Sequence, residues 1–393
     1  GLEALGPCHA LQPHDPEAVG ALAEQRGVDL VVVGPEAPLV AGAVDELRRR
    51  GIPAFGPSAG AARIEGSKSF AKGVMEAAGV PTAGYGSFTD ANEAKAALDA
   101  YGPPYVVKAD GLAAGKGVVI CESEVEARSA VDDALVRRRF GEAGGRVVIE
   151  EFLDGPEVSV FAVCDGDDVV LLPPSQDFKR ALDGDEGPNT GGMGAYTPIS
   201  AFGQPEAKGL RETVFCPTLL ELGRRGTPYV GLLYAGLVLT ADGTKVLEFN
   251  CRFGDPETQV VVGRVEGDFA DLLAAAVDPS RGLRNVQAAF SDDAIVTVVL
   301  ASGGYPGHYD VGHRIEGLDE AAARFPDVNV FHAGTRRDGD GRIVTAGGRV
   351  LSVTGRGADV ASAREAAYQA ADVISWPGLH RREDIALEAA TGG

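Results

Sequence analysis

The sequence predicts an α/β and α+β protein of several domains, on three observations. Near the start, helix signals alternate with short, wholly apolar runs such as "VDLVVVG" (28–34), as in doubly wound parallel sheets. The middle carries paired β-type runs turned by Gly- and Asp-rich bends, an antiparallel pattern. The last hundred residues repeat that pattern in a smaller unit with one helix. At 393 residues the chain also exceeds what a single core of about 250–300 residues holds.

Taken in order, "HDPEAVGALAEQRG" (14–27) predicts a helix with Asp15 as N-cap, Pro16 at its first position and Gly27 as its stop. The run 28–34 suits the middle of a parallel sheet; "LVAGAVDELRRRG" (39–51) reads as one helix and 52–56 as a short strand. A helix at 67–79, a strand at 82–88 and a second helix capped by Asp90 follow. "VVKADGLAAGKGVVI" (106–120) reads as strand, glycine loop, strand. It is not the GxxxxGK[ST] phosphate loop, because three residues separate Gly111 from Gly115, Gly117 replaces the Ser/Thr, and a β-type run follows. Further strands are predicted at 146–152, 157–164 and 169–172, the last pair turned by "DGDD". Residues 173–203 read as a polar, glycine-rich loop too long for a connector. A helix near 205–224 then leads to a two-strand meander ending in "KVLEFNCRF", and strands at 294–302 and 328–335 with "GRIVTAGG"/"RVLSVTG" and a helix at 359–374 complete a small sheet.

Composition narrows the function. A net charge of −21 without a concentrated basic surface argues against nucleic-acid binding. No apolar run reaches 18 residues and no basic-then-apolar leader is visible, so a cytoplasmic protein without a membrane span is expected. Cys8, Cys121, Cys164, Cys216 and Cys251 form no CxxC pair, and most read as small buried hydrophobes.

Four stretches carry chemistry. On "VLEFNCRF" as a strand, Glu248, Asn250 and Arg252 share one face, while Leu247, Phe249 and Cys251 share the other. A carboxylate beside an amide oxygen suits Mg²⁺, and Arg252 suits a carboxylate or phosphate; a solvated face with an incidental ion pair is the competing reading. Lys108 and Asp110 likewise face together at the end of a strand, with Lys116 in the glycine loop; surface lysines on a flexible hairpin would look the same. The bend "IEEFLDGPEVSV" (149–160) could offer backbone groups to a purine and Glu157 to ribose, or be an acidic turn in solvent. The segment 174–198 combines Asp177, Lys179, Arg180 and Asn189 with Gly191, Gly192 and Gly194, fitting a substrate with both an amine and an anion, or a poorly ordered loop. No GxSxG occurs and the six histidines lie elsewhere, so covalent catalysis is disfavoured and proximity with electrostatic stabilisation remains.

Together "GPEAPLVAG" (34–42), "FGPSAGAARIEGSKSFAK" (55–72), "VVKADGLAAGKG" (106–117), "IEEFLDGPE" (149–157), "SQDFKR" (175–180), "GPNTGGMGAY" (187–196), "EFNCRFGDPETQ" (248–259), "GGYPG" (303–307), "FHAGT" (331–335) and "GGRVL" (347–351) resemble the phosphoribosylamine–glycine ligase family, over nearly the whole chain and in family order. The resemblance implies an ATP-grasp fold at 65–279 with a lid at about 83–153, after a doubly wound domain at 1–64 and before a small α+β domain at 290–393. It implies that ATP is bound by Lys72, Lys108, the lid residues Gly115, Lys116 and Gly117, the hinge Glu150, Glu151, Phe152 and Leu153, and Glu157. Mg²⁺ or Mn²⁺ would be held by Glu248 and Asn250. Glycine and 5-phosphoribosylamine would meet Asp177, Lys179, Asn189, Gly191, Gly192, Arg252 and Asp255, with Asp177, Lys179 and Arg252 catalytic. The implied product is glycinamide ribonucleotide, formed through a glycyl phosphate by a monomer.

Two departures stand out. Family members open with a strand and glycine-rich turn ahead of the first segment here, so the first sheet is expected to lack a strand and expose an apolar edge. Phe178 stands where the family more often has His or Tyr. Alternative readings are another ATP-grasp carboxylate–amine ligase and an N-terminally incomplete, catalytically impaired nucleotide-binding copy of this family.

Overall fold

The computed structural model describes residues 5–112, 117–200 and 202–392. Helix α1 (Pro16–Arg26) begins as the sequence dictates: the Asp15 carboxylate accepts from the Ala18 N–H, and Gly27 closes the helix at φ 58°. Strands β1 (Val31–Val32) and β2 (Ala54–Phe55) pair in parallel, Val31 opposite Ala54. Two expectations are corrected. Among the described residues the run 28–34 is not in the middle of a sheet. Among the described residues its sheet is the β1–β2 pair alone, and Val28 and Val32 are exposed. The run 39–51 is broken into α2 (Glu36–Ala41) and α3 (Ala43–Arg49), because Gly42 at φ 93° turns the chain out of the helical region. Then α4 (Ala59–Gly66) and α5 (Lys68–Ala78) start on the side-chain caps Ser58 and Ser67.

Strands β3 (Tyr85–Phe88), β4 (Tyr105–Ala109), β5 (Val118–Cys121) and β6 (Val147–Glu150) form an antiparallel sheet in the order β3-β6-β4-β5. Helices α6 (Ala91–Ala97) and α7 (Glu124–Val131) bring Ala94, Ala127 and Ala130 into one core with Val107, Val147 and Ile149. The expected strand–loop–strand is present, with Lys108 opposite Val118.

Strands β7 (Glu157–Asp165) and β8 (Val169–Leu171) form the expected hairpin, closed by the Asp165 N–H on the Asp168 carbonyl. The polar segment that follows is not an unstructured loop. It contains β9 (Gln176–Asp177), the hairpin β10 (Arg180–Leu182) and β11 (Glu186–Asn189), and β12 (Gly194–Thr197). Strands β13 (Val230–Thr240) and β14 (Gly243–Asn250) complete a second sheet, β14-β13-β7-β8.

The remaining strands are β15 (Val265–Glu266), β16 (Ala289–Phe290), β17 (Ala294–Ser302), β18 (Asn329–His332), β19 (Thr335–Arg337), β20 (Ile343–Thr345), β21 (Arg349–Gly357) and β22 (Leu379–His380). The C-terminal sheet runs β18-β21-β17-β12-β9, with β22 on β17. Two of its strands therefore come from the 173–203 segment, ahead of the boundary expected at 290. Helix Val360–Asp372 packs Ala363, Ala367 and Tyr368 into the same core.

Candidate active site

The end of β6 places Glu150 where the first and second sheets face each other. One oxygen of its carboxylate, Oε2, accepts from two ammonium groups: Lys72 of α5 at 3.0 Å and Lys108 of β4 at 2.9 Å. All three side chains are at least 95% buried. Lys72 also donates to Thr82 Oγ1 at 2.8 Å, and Thr82 donates to the Val246 carbonyl at 2.6 Å, tying this lysine to β14. Burial lowers the pKa of Lys72, opposed by Glu150. The other carboxylate oxygen, Glu150 Oε1, is buried with no protein partner. The helix carrying Lys72 is held to the lid strand by Asp110, which accepts from the Ser69 N–H at 3.0 Å and the Ser69 hydroxyl at 2.6 Å. Lys68, on the first turn of that helix, donates to the Gly111 carbonyl at 3.1 Å.

On the facing strand, Glu248 and Asn250 lie side by side, the amide donating to Glu248 Oε1 at 3.4 Å. Burial works to raise the pKa of Glu248, but the cations of Lys179, Lys108 and Lys68 outweigh it and the net shift is downward. Glu248 is thus an ionised carboxylate aimed into a cationic cleft. Strict alternation fails at one point on β14. Gly236 opposes Glu248 and Leu237 opposes Val246, so a bulge leaves Leu247 without a partner, and Val246 instead of Leu247 joins the core with Phe249 and Cys251.

Arg252 corrects the strand-face reading. The strand stops at Asn250, and Arg252 turns toward the first segment, 3.5 Å from Glu65 and 3.6 Å from Glu36. Glu65 also accepts from the Cys251 N–H at 2.8 Å and the Cys251 thiol at 3.1 Å. Burial, followed by Glu65, pushes the pKa of that thiol up, as fits a structural cysteine.

The segment 174–198 brings Asp177 and Lys179 beside these groups. Lys179 pairs with Glu157, at the start of β7, and lies 3.9 Å from Asp177. Burial, the dominant cause, lifts the Asp177 carboxyl to about 7 against the pull of Lys179, and Glu257 and Glu157 add to the lift. For Lys179, burial is overcome by Asp177, Glu157 and Glu248, and its pKa is raised. Behind them Tyr234 donates to Glu257 at 2.8 Å. Thr190 fixes the Lys179 backbone, both its N–H and its hydroxyl donating to the Lys179 carbonyl, at 2.7 and 2.8 Å.

Gly191 and Gly192 are gathered with Asp255 by Arg349, which donates to the Gly191 carbonyl at 2.6 Å, the Asp255 carbonyl at 2.5 Å and the Asp255 carboxylate at 3.0 Å. Gly192 adopts φ 110°, and a Cβ there would lie 2.4 Å from Pro256, so both conformation and contact demand glycine. Asn189 sits exposed at the end of β11, opposite Arg180. Of the hinge, Glu151 reaches the Gly84 N–H at 3.4 Å, Phe152 is exposed and Leu153 half-buried. Gly84, Tyr101, Pro103, Glu151 and Phe152 line a cavity of about 490 Å³ beside it. In the glycine loop expected to be a lid, Gly117 accepts from the Ala109 N–H at 2.7 Å, whereas Gly115 and Lys116 lie outside the described residues. Sequence reasoning missed Lys68, Thr82, Tyr234, Glu257 and Arg349. Lys68 had a signal, lying four residues before Lys72 on one helix face. The others are brought in only by tertiary packing.

Lysines from a helix and from one antiparallel sheet, with a carboxylate–amide pair on another sheet across one cleft, make up the ATP-grasp arrangement. A biotin carboxylase domain from Hydrogenobacter thermophilus, solved with MgADP, matches 95% of this chain and 81% of its own at a TM-score of 0.71. At 18% identity that likeness is one of fold alone. The particular assignment is sharper: the chain belongs to the phosphoribosylglycinamide synthetase family, whose N, ATP-grasp and C domain models match residues 1–65, 66–258 and 295–388. It is 54% identical to the phosphoribosylamine–glycine ligase of Streptomyces coelicolor over 99% of this chain and 91% of that protein. With the ligase of Pseudomonas aeruginosa it shares 50% identity over 93% and 84%. A solved phosphoribosylamine–glycine ligase from Thermotoga maritima matches at a TM-score of 0.84 and 33% identity, over 98% of this chain and 91% of that one. The chain is an ATP-grasp ligase of purine biosynthesis.

Proposed function

We propose that this chain joins glycine to 5-phosphoribosylamine with ATP and a Mg²⁺ or Mn²⁺ ion, as a cytoplasmic monomer, with the roles divided among the residues above. The observation that carries this reading is the ionised Glu248 beside Asn250, in the field of Lys68, Lys108 and Lys179.

The metal fits this donor set. Among the described residues no three His, Cys, Asp or Glu side chains are arranged to hold a metal ion by themselves, so a cation here would share its ligands with phosphate oxygens, as Mg²⁺ commonly does. Glu248 and Asn250 would hold it, and when bound it supplies charge neutralisation at the transferring phosphoryl group. Lys72 and Lys108 bind the phosphates. Hinge residues 150–153 and Glu157 hold the nucleoside, and Gly115, Lys116 and Gly117 belong to the lid that excludes water. Glycine's carboxylate takes the γ-phosphoryl group, and the amine of phosphoribosylamine then displaces phosphate from the glycyl phosphate. Asp177, Lys179, Asn189, Gly191, Gly192 and Asp255 orient these two substrates. Arg252 supports them from the rim, its charge shared with Glu36 and Glu65. The intact Lys72, Lys108, Glu248 and Asn250 speak against the impaired-copy reading.

The test is ADP release with phosphoribosylamine generated in place, glycine present or omitted. Glycine-dependent release that disappears in Glu248→Gln and Asn250→Ala is expected; ATP hydrolysis indifferent to glycine would sink the reading.

A further inference from the structure

The sequence shows no reason for Arg382 to be among the largest fully buried side chains of the molecule, 1% exposed. Its guanidinium uses the full planar fork. Nε and one terminal nitrogen grip the Asp384 carboxylate at 2.7 Å each. The other terminal nitrogen donates to Asp185 at 2.7 Å and to the Arg180 carbonyl at 3.2 Å. The flat face lies 5.0 Å over the ring of Phe178. Asp384 is a near neighbour of Arg382 in the chain, but the Asp185, Arg180 and Phe178 contacts fall on the β10–β11 hairpin or its entry, and neighbouring residues add to them. His380 meets the Ala181 carbonyl at 2.7 Å, the Glu383 N–H donates to Asp183 at 2.8 Å, and the Gly184 N–H donates to Asp384 at 2.8 Å. The clamp is itself anchored, because Tyr368 on the last long helix donates to the Arg382 carbonyl at 2.7 Å.

This hairpin has Lys179 at its entry and Asn189 at its exit. We propose that Arg382 is a positioning residue for the acceptor-substrate site: from the C-terminal domain it fixes the hairpin on which Lys179 and Asn189 are carried. The inference rests on the functional reading above, which places the substrates at this segment. Only arginine suits the position, since lysine lacks the fork that satisfies two carboxylates and a carbonyl at once. Phe178 thereby gains a physical role, as the apolar floor under the guanidinium, packed 6.2 Å from Tyr196.

Asp185→Asn is the primary variant. The Asp185 side chain is 68% exposed and its backbone φ is 54°, a conformation Asn tolerates, so folding is preserved while the charge that pairs with Arg382 is removed. Amide exchange at Gly184, Thr190 and Met193 is expected to quicken. The KM for glycine or phosphoribosylamine should rise about three- to fivefold, the scale of losing one half-exposed ion pair. The KM for ATP and the Trp376 fluorescence melt should not move. Arg382→Lys should reproduce the rise. Unchanged exchange, or faster exchange with an unchanged substrate KM, overturns the positioning role. A wild-type chain without glycine-dependent ADP release overturns the functional reading instead, so the two failures are separable.

Discussion

Replacing Glu150 by Gln keeps the shape of the side chain and removes the negative charge that two buried ammonium groups share. In the wild type, Oε2 alone receives Lys72 at 3.0 Å and Lys108 at 2.9 Å, inside a region from which water is excluded. Removing one partner of a buried pair costs about 3–5 kcal/mol. Proton release from a lysine offers limited relief, although burial already lowers the pKa of Lys72. The expected loss is therefore about 3–5 kcal/mol, concentrated in the β3–β6 sheet and the α5 helix. The only tryptophan, Trp376, sits in the C-terminal core and does not read this region, so amide exchange on β4 and β6 is the appropriate assay. Trp376 fluorescence serves as the control. Inorganic tripolyphosphate, which lacks a base, isolates the lysines from any contact Glu150 makes with a nucleoside. It should bind the variant roughly tenfold more tightly, because the freed lysine charges no longer have a carboxylate competitor. Unchanged exchange on β6 together with unchanged polyphosphate affinity would refute the shared-counter-ion account.

Asp177→Asn should alter the pH dependence of stability. An acid raised from its ordinary range to about 7 binds more protons folded than unfolded between those values, so the wild type loses stability as pH rises through that window, by roughly 1.4 kcal/mol per unit at most. The variant should lack that slope in guanidinium titrations at pH 4.5 and 8. Gly192→Ala should cost about 1–3 kcal/mol for its positive φ, plus the displacement of Pro256, and should show as a lower melting temperature. Arg349→Met should remove charge-assisted bonds to Asp255 and the Gly191 carbonyl, each worth about 1.5–3 kcal/mol, and speed exchange at Gly192 and Met193 without slowing exchange on β6.

Much of this site was legible because local rules and tertiary needs agreed. Asp15 and Asp90 cap helices where the sequence places them, and Glu248 with Asn250 kept its place on one face because the bulge at Leu247 lies before both. Arg252 was misplaced for a physical reason. Period-two alternation holds only while the strand lasts, and nothing in "NCRF" announces that the ladder ends at Asn250 and that Glu36 and Glu65 lie ahead. The 28–34 run stands differently. Apolarity on both faces reads as a central strand, but pairing needs neighbours, and only β2 lies beside it among the described residues.

The segment 173–203 gives the most instructive disagreement. Its glycines, prolines and charges match a loop by composition, yet β9 and β12 extend the C-terminal sheet, Tyr196 pairing with Val296 and Ala195 with Asp177. Composition was blind here because the stabilising partners lie a hundred residues away, in β17. That pairing also has a consequence for function. The strand that carries Asp177 belongs to the C-terminal sheet and the hairpin that carries Asn189 is tied to the C-terminal segment, whereas Glu248 and Asn250 belong to the second sheet, Lys108 to the first and Lys72 to α5. If the substrates sit as proposed, any motion between these bodies would change the distance between the reacting groups, and on that reading the contacts of Arg382 and Arg349 bear on the one geometric quantity a proximity-driven ligation depends on.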